Sequence, residues 1–221
     1  MSTRLSVEQR RAQLIGAAIG LAESKGVSAV TTRDVARAAG VSLGVVHYCF
    51  ENKDAMMTEL VKALSMELRD SADQATELRA GVTGVGALED LLRIALAALW
   101  HDVEASRDRQ LLTYETTTYA LREGGQTPGK LRIAREQYEF NDDTMADLLE
   151  KLRMATDTEW TLPLASLSRL SLAMLDGLVL RWLVDEDNQA AHDQLDRMAS
   201  IVAGLAAPAR GGGTGNGNGW R

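Results

Sequence analysis

The sequence predicts an all-α fold: a unit of short helices over residues 1–52, a long helix leading into a larger helical domain over residues 53–207, and a glycine-rich tail over residues 208–221. Three observations predict it. Apolar residues recur at three- and four-residue steps through most of the chain, the spacing of helices that bury one face. The breaks between those stretches are short and rich in Gly, Pro, Asp and Asn. No stretch bounded by turn residues alternates apolar and polar positions as a half-buried strand would.

Each element follows from a local pattern. Ile15, Ala18, Ile19 and Ala22 predict a first helix over residues 7–25, stopped by Gly26. Thr31 or Thr32 can cap a short second helix through Ala39, because a threonine hydroxyl accepts the free amide hydrogens of a first turn. Gly40 ends it. Ser42 is placed to cap a third short helix to about Cys49, and Asn52 a fourth from Lys53 to about Leu78. "RAGVTGVGAL" is the clearest boundary, since three glycines within six residues make poor helix interior. Further helices are expected over 86–105, 108–122, 129–155, 162–185 and 188–206. "RGGGTGNGNGWR" has no apolar face, so the tail is expected to be disordered.

Composition narrows the function. With 221 residues, 45% apolar and 25% charged, the chain can bury a substantial core. No apolar run approaches the ~20 residues of a membrane span, and no basic start leads into an apolar block, so the cytoplasm is the expected compartment. One cysteine, Cys49, and three scattered histidines make neither a disulfide framework nor a zinc cluster. No cofactor or metal is implied. The net charge of -7 is unevenly spread: residues 1–64 hold eight Lys or Arg against six Asp or Glu, the remainder sixteen against twenty-five. A basic end on an acidic body marks a separate functional unit.

The stretch "TTRDVARAAGVSLGVVHYCFENK" explains that unit. Two helices of about eight residues joined at one glycine bury too little to stand alone. In a helix-turn-helix the first supports the second, whose free face enters the major groove of DNA. Val35 and Ala39 can face inward, and Ala36 is small enough for close packing. Gly40 can take the positive φ of the corner, and Val41 and Val46 can anchor the second helix. Ser42, Leu43, Gly44, Val45, His47 and Tyr48 remain for another surface.

These residues resemble the N-terminal domain of the TetR family of transcriptional regulators. Thr31 or Thr32, Val35, Ala36, Ala39, Gly40, Val41, Ser42, Gly44, Tyr48, Phe50 and Lys53 follow the family's pattern in order. The resemblance is detailed over residues 10–64 and departs from it at Cys49, where many members carry Tyr or His. It implies that Thr31 or Thr32, Ser42, Tyr48 and Lys53 hold DNA phosphates, with Arg33, Leu43, Gly44, Val45 and His47 against base edges or thymine methyls. Double-stranded DNA carrying a palindromic operator is the implied partner, and repression the family's usual mode.

The resemblance also implies a C-terminal ligand-binding and dimerisation domain. Residues 162–185 are apolar on almost every face, as a helix packed on more than one side must be. Leu164, Leu167, Met174 and Leu178 fall near one seam of it, and Leu195, Met198, Val202 and Leu205 repeat the theme on the last helix. Two such helices from each subunit would make the four-helix interface of a homodimer. Trp100, His101, Tyr114, Glu115, Tyr119, Trp160, Met174 and Asp176 supply aromatic walls and polar handles for an unidentified small-molecule effector. The fourth helix is the expected lever between effector and DNA. No phosphate loop, metal-spaced cluster or nucleophile elbow points to an enzyme. An architectural DNA protein is disfavoured by the acidic C-terminal half.

Overall fold

A computed structural model describes residues 5–26, 29–76, 82–124 and 128–209. Among these residues the order is α1 (Val7–Lys25), α2 (Thr32–Ala38), α3 (Leu43–Cys49), α4 (Lys53–Thr76), α5 (Val85–Ala105), α6 (Arg107–Gly124), α7 (Pro128–Thr156), β1 (Thr158–Trp160), α8 (Leu164–Asp185), α9 (Asn188–Ala203) and β2 (Ala206–Pro208). The all-α expectation holds. Leu78, the expected end of α4, lies outside the described residues.

Helix ends are set by capping chemistry. The Gln9 N–H donates to the Ser6 hydroxyl at 3.1 Å while the Ser6 N–H donates to the Gln9 side chain at 2.9 Å, a reciprocal box that starts α1. Gly26 stops it with φ of 78°. Asn52 caps α4 by accepting from the Ala55 N–H at 2.8 Å. Ser42 departs from its expected part: its hydroxyl makes no capping bond, and the first turn of α3 is closed by the Val45 N–H on the Ser42 carbonyl at 3.0 Å.

Two large apolar cores result among the described residues. In the head, Leu14, Val35 and Val46 have no exposed surface, and Met56, Met57 and Leu60 from the first turns of α4 close the same cluster. Fully burying one such side chain contributes about 1.5–3 kcal/mol before cavity terms. Gly40, at φ of 65°, turns the chain so that the Val41 N–H reaches the Ala36 carbonyl at 2.9 Å and α3 lies back on α2. The larger core is built from α5, α7, α8 and α9, with Trp100 edge-on to Trp182, ring centroids 5.5 Å apart.

Two short strands correct the helical expectation. Residues Thr158–Trp160, read as a break, pair antiparallel with Ala206–Pro208, where the last helix was expected to run to 206 and the tail to begin at 208. Three-residue strands are too short for alternation to register in sequence. The pairing places Trp160 opposite Ala206, and the Ala209 N–H extends it to the Asp157 carbonyl at 3.0 Å. The rest of the expected disordered tail, 210–221, lies outside the described residues.

Candidate functional site

The head presents one continuous polar face made by α2, α3 and the start of α4. Tyr48 is 76% exposed, and His47, Ser42, Gly44 and Arg33 are exposed beside it. Leu43, Val45, Thr32 and Lys53 are half-buried at its margin. A large aromatic with a free hydroxyl is held out in water because Val46 and Cys49, on the opposite side of the same short helix, are drawn into the core. Cys49 is 5% exposed, so the departure at that position lies inside the head and not on this exposed face.

Two of the predicted residues carry additional contacts. The Thr31 hydroxyl accepts from the Asp34 N–H at 3.1 Å and donates to the Asp34 carboxylate at 2.8 Å, so it caps α2 and leaves the half-buried Thr32 hydroxyl outside the cap. The Lys25 ammonium donates to the same carboxylate at 2.7 Å, and these bonds, Lys25 first, hold the Asp34 pKa below its ordinary value. The Lys53 ammonium sits 5.8 Å from the centre of the Tyr119 ring, which places one of the expected effector residues against the head.

The remaining expected effector residues separate into groups. Trp100 is fully buried, its indole N–H donating to Glu104 at 2.7 Å, and belongs to the core; His101, beside it, is exposed. Trp160 is half-buried in β1 with its indole nitrogen buried and unpartnered, and Met174 packs half-buried against the larger core. Glu115 faces the head, close enough that a Cβ at Gly26 would lie 3.4 Å from its carboxylate. Tyr114 and Asp176 come together: the Tyr114 hydroxyl donates to the Asp176 backbone carbonyl at 2.9 Å.

Tyr138, not anticipated from the sequence, completes this cluster by donating to the Asp176 carboxylate at 3.0 Å. No signal in the chain links them, since they lie 38 residues apart on different helices. Burial, and then the neighbouring carboxylate, push the Tyr138 pKa up to about 12; burial raises Tyr114 and Asp176 as well. On the far side of α8, an apolar cavity of ≈ 20 Å³ is lined by α5, α7 and α9 and by the buried, unpartnered Ser171 hydroxyl. It has room for roughly one water-sized sphere.

The residues expected at the subunit interface divide by burial. Leu167, Leu195, Met198 and Val202 are at most 6% exposed within the single chain, and Leu164, Met174, Leu178 and Leu205 pack partly buried on the same core. A side chain already enclosed by its own chain offers no surface to a second copy. The large apolar residues that α8 and α9 do expose are Leu170, Leu180, Val184 and Ile201.

The helix that joins the cluster to the head is α6. Leu112 is 2% exposed inside the head's core, and Arg109 donates to Glu23 of α1 at 3.1 Å. On the opposite side, Arg107 donates to the Leu183 carbonyl near the end of α8 at 3.0 Å. Among the described residues no helix is long and apolar enough to cross a membrane, and no group of three His, Cys, Asp or Glu is placed to hold a metal.

Comparison with known proteins agrees with this architecture. Residues 14–60 match the family described as bacterial regulatory proteins, tetR family. The chain is 26% identical over 198 residues to the HTH-type nicotine-responsive transcriptional repressor HdnoR of Paenarthrobacter nicotinovorans, covering 88% of this chain and 94% of that protein. It is 25% identical over 205 residues to the probable acrEF/envCD operon repressor of Escherichia coli K12, covering 90% and 86%. The crystal structure of a TetR-family regulator from Mesorhizobium loti shares the fold with a TM-score of 0.66 at 18% identity, over 92% of this chain and all of that one. The helix-turn-helix head matches the tetR family of bacterial regulatory proteins, and the chain as a whole is similar to transcriptional regulators of that kind over nearly its full length.

Proposed function

We propose that the protein is a ligand-responsive repressor whose homodimer binds a palindromic operator through residues 1–52 and leaves it when a small molecule binds the helical domain, residues 53–207. The observation that carries this reading is the double attachment of α6, which gives Leu112 to the head's core and Tyr114 to the Asp176 cluster. A ligand that binds better to one arrangement of α6 shifts the heads away from the spacing that suits DNA, by its differential affinity for the two states. Two relatives are named as repressors, which supports the direction of the effect.

In the bound state, Tyr48, Ser42, Thr32 and Lys53 would position the head on phosphates while Arg33, Leu43, Gly44, Val45 and His47 meet the bases. Gly44 has only the Ser42 hydroxyl near where its Cβ would stand, at 3.8 Å, so its bare backbone can approach a base closely. The α3 face carries few long polar side chains, so discrimination per base is modest and DNA shape supplies the rest.

The test is to incubate purified protein with fragments of the source genome at about physiological salt and sequence what it retains. A recurring palindrome with half-sites about one helical turn apart is expected. Retention indifferent to sequence would overturn operator recognition. An effector with equal affinity for free and operator-bound protein would overturn release.

A further inference from the structure

We propose that Asp176 anchors a cationic effector, an organic ammonium with an apolar body, held between α6, α7 and α8. The inference rests on reading the chain as ligand-responsive and names the class of ligand. Asp176 lies in mid-helix within "LAMLDGLVL", a run otherwise free of charge. Its Oδ2 accepts the Tyr138 hydroxyl at 3.0 Å, and its backbone carbonyl accepts the Tyr114 hydroxyl at 2.9 Å. Among the described residues no lysine, arginine or histidine reaches it, and no donor reaches Oδ1.

Other acidic side chains of the protein behave differently. Asp34 pairs with Lys25 at 2.7 Å, Asp142 with Arg169 at 3.4 Å, Asp185 with Arg181 at 2.6 Å and Asp196 with Arg93 at 2.7 Å. Those pairs hold the Asp34 and Asp185 pKa values down, whereas burial drives Asp176 upward. Asp176 is half-buried, and a carboxylate partly withdrawn from water without a counter-charge carries a cost that one phenol hydroxyl offsets only in part. A ligand cation supplies the missing charge.

The surroundings select an organic cation over a metal ion. A protein site for calcium gathers several oxygen ligands, and here one carboxylate stands with a carbonyl already engaged by Tyr114 and no second acidic side chain grouped with it among the described residues. Two phenol rings adjoin the carboxylate instead, and aromatic faces attract alkylammonium groups that ordinary hydration holds weakly. A neutral ligand could take the free lone pairs of Oδ1 but would leave the charge uncompensated.

The experiment titrates the full-length protein calorimetrically with phenyltrimethylammonium and with tert-butylbenzene, its uncharged carbon isostere. The cation is expected to bind at least tenfold more tightly than the isostere, and Asp176→Asn to remove at least tenfold of that affinity with the helical circular dichroism unchanged. Tyr138→Phe keeps the carboxylate and is expected to keep the preference for the cation, which guards against a misfolded Asp176→Asn. Equal affinity for the two probes, undiminished cation binding by Asp176→Asn, or no cation binding up to millimolar concentration would overturn the proposal. A second arm follows a retained DNA fragment by fluorescence anisotropy. Asp176-dependent cation binding without any change in DNA affinity upholds the cation site and defeats the release mechanism. Release by a neutral compound, with no Asp176-dependent cation binding, does the reverse.

Discussion

Thr31 uses one hydroxyl twice, accepting from the Asp34 N–H and donating to the Asp34 carboxylate, which also binds Lys25. Removing a cap of this kind costs about 1 kcal/mol, so Thr31→Ala is expected to lower the thermal midpoint by several degrees. The associated pH dependence has a definite sign. The Asp34 pKa is depressed in the folded state, so the contribution is complete above the ordinary value of 3.8 and is lost as pH falls through the lowered one. Acid titration of the wild type and Asp34→Asn should therefore show the variant less sensitive below that value; identical acid limbs would remove Asp34 from the account. Thr31, Gly40 and Val35 were legible in the sequence because caps, corners and amphipathic spacing are local. The bond from Tyr138 to Asp176 was not, because nothing local records which helices become neighbours.

At the scale of the element, α6 differs most from its sequence reading. Its periodicity showed which positions share a face: Glu115 and Tyr119 turn toward the head, and Tyr114 toward α8. Periodicity does not say which body a face packs on, and α4 alone was expected to carry motion between domains. Leu112 shows the second connection, an apolar side chain from the helical domain enclosed by the head's core. Leu112→Ala is expected to cost about 2–5 kcal/mol, borne by the head. The three tryptophans of the described residues, Trp100, Trp160 and Trp182, all belong to or pack on the larger core, so their fluorescence reports that body. In denaturant, Leu112→Ala should unfold earlier by circular dichroism than by tryptophan fluorescence, while the wild type shows one transition by both. Coincident transitions in the variant would mean that the side chain does not link two separable bodies.

For the whole molecule, the question is which surface meets a second copy, because a palindrome is read only if two recognition helices are held about 34–36 Å apart. Residues 162–185 are apolar on almost every face, so spacing alone could not separate the stripe that packs inward from the stripe left outside; Leu167 lies fully inward, with Leu164, Met174 and Leu178 half-buried beside it. The outward stripe steps through Leu170, Ala173, Gly177, Leu180 and Val184 at intervals of three and four residues, all exposed, with exposed Ile201 on the adjoining α9. Gly177 has nothing within 4 Å of where its Cβ would stand, so a partner helix could approach there closely. Two helices from each of two copies would cover this face by two-fold symmetry, each stripe meeting its own duplicate. A glutamate in the middle of the stripe would then meet a like charge across the axis. Leu180→Glu is expected to sediment as a monomer, keep its helical content because the native side chain is half in water, and lose at least tenfold in operator affinity. Leu167→Ala is expected to lose about 2–5 kcal/mol of stability and still sediment as a dimer, because its side chain fills the core and not the interface. A dimeric Leu180→Glu protein, or a monomeric but stable Leu167→Ala protein, would reverse the assignment of the two stripes.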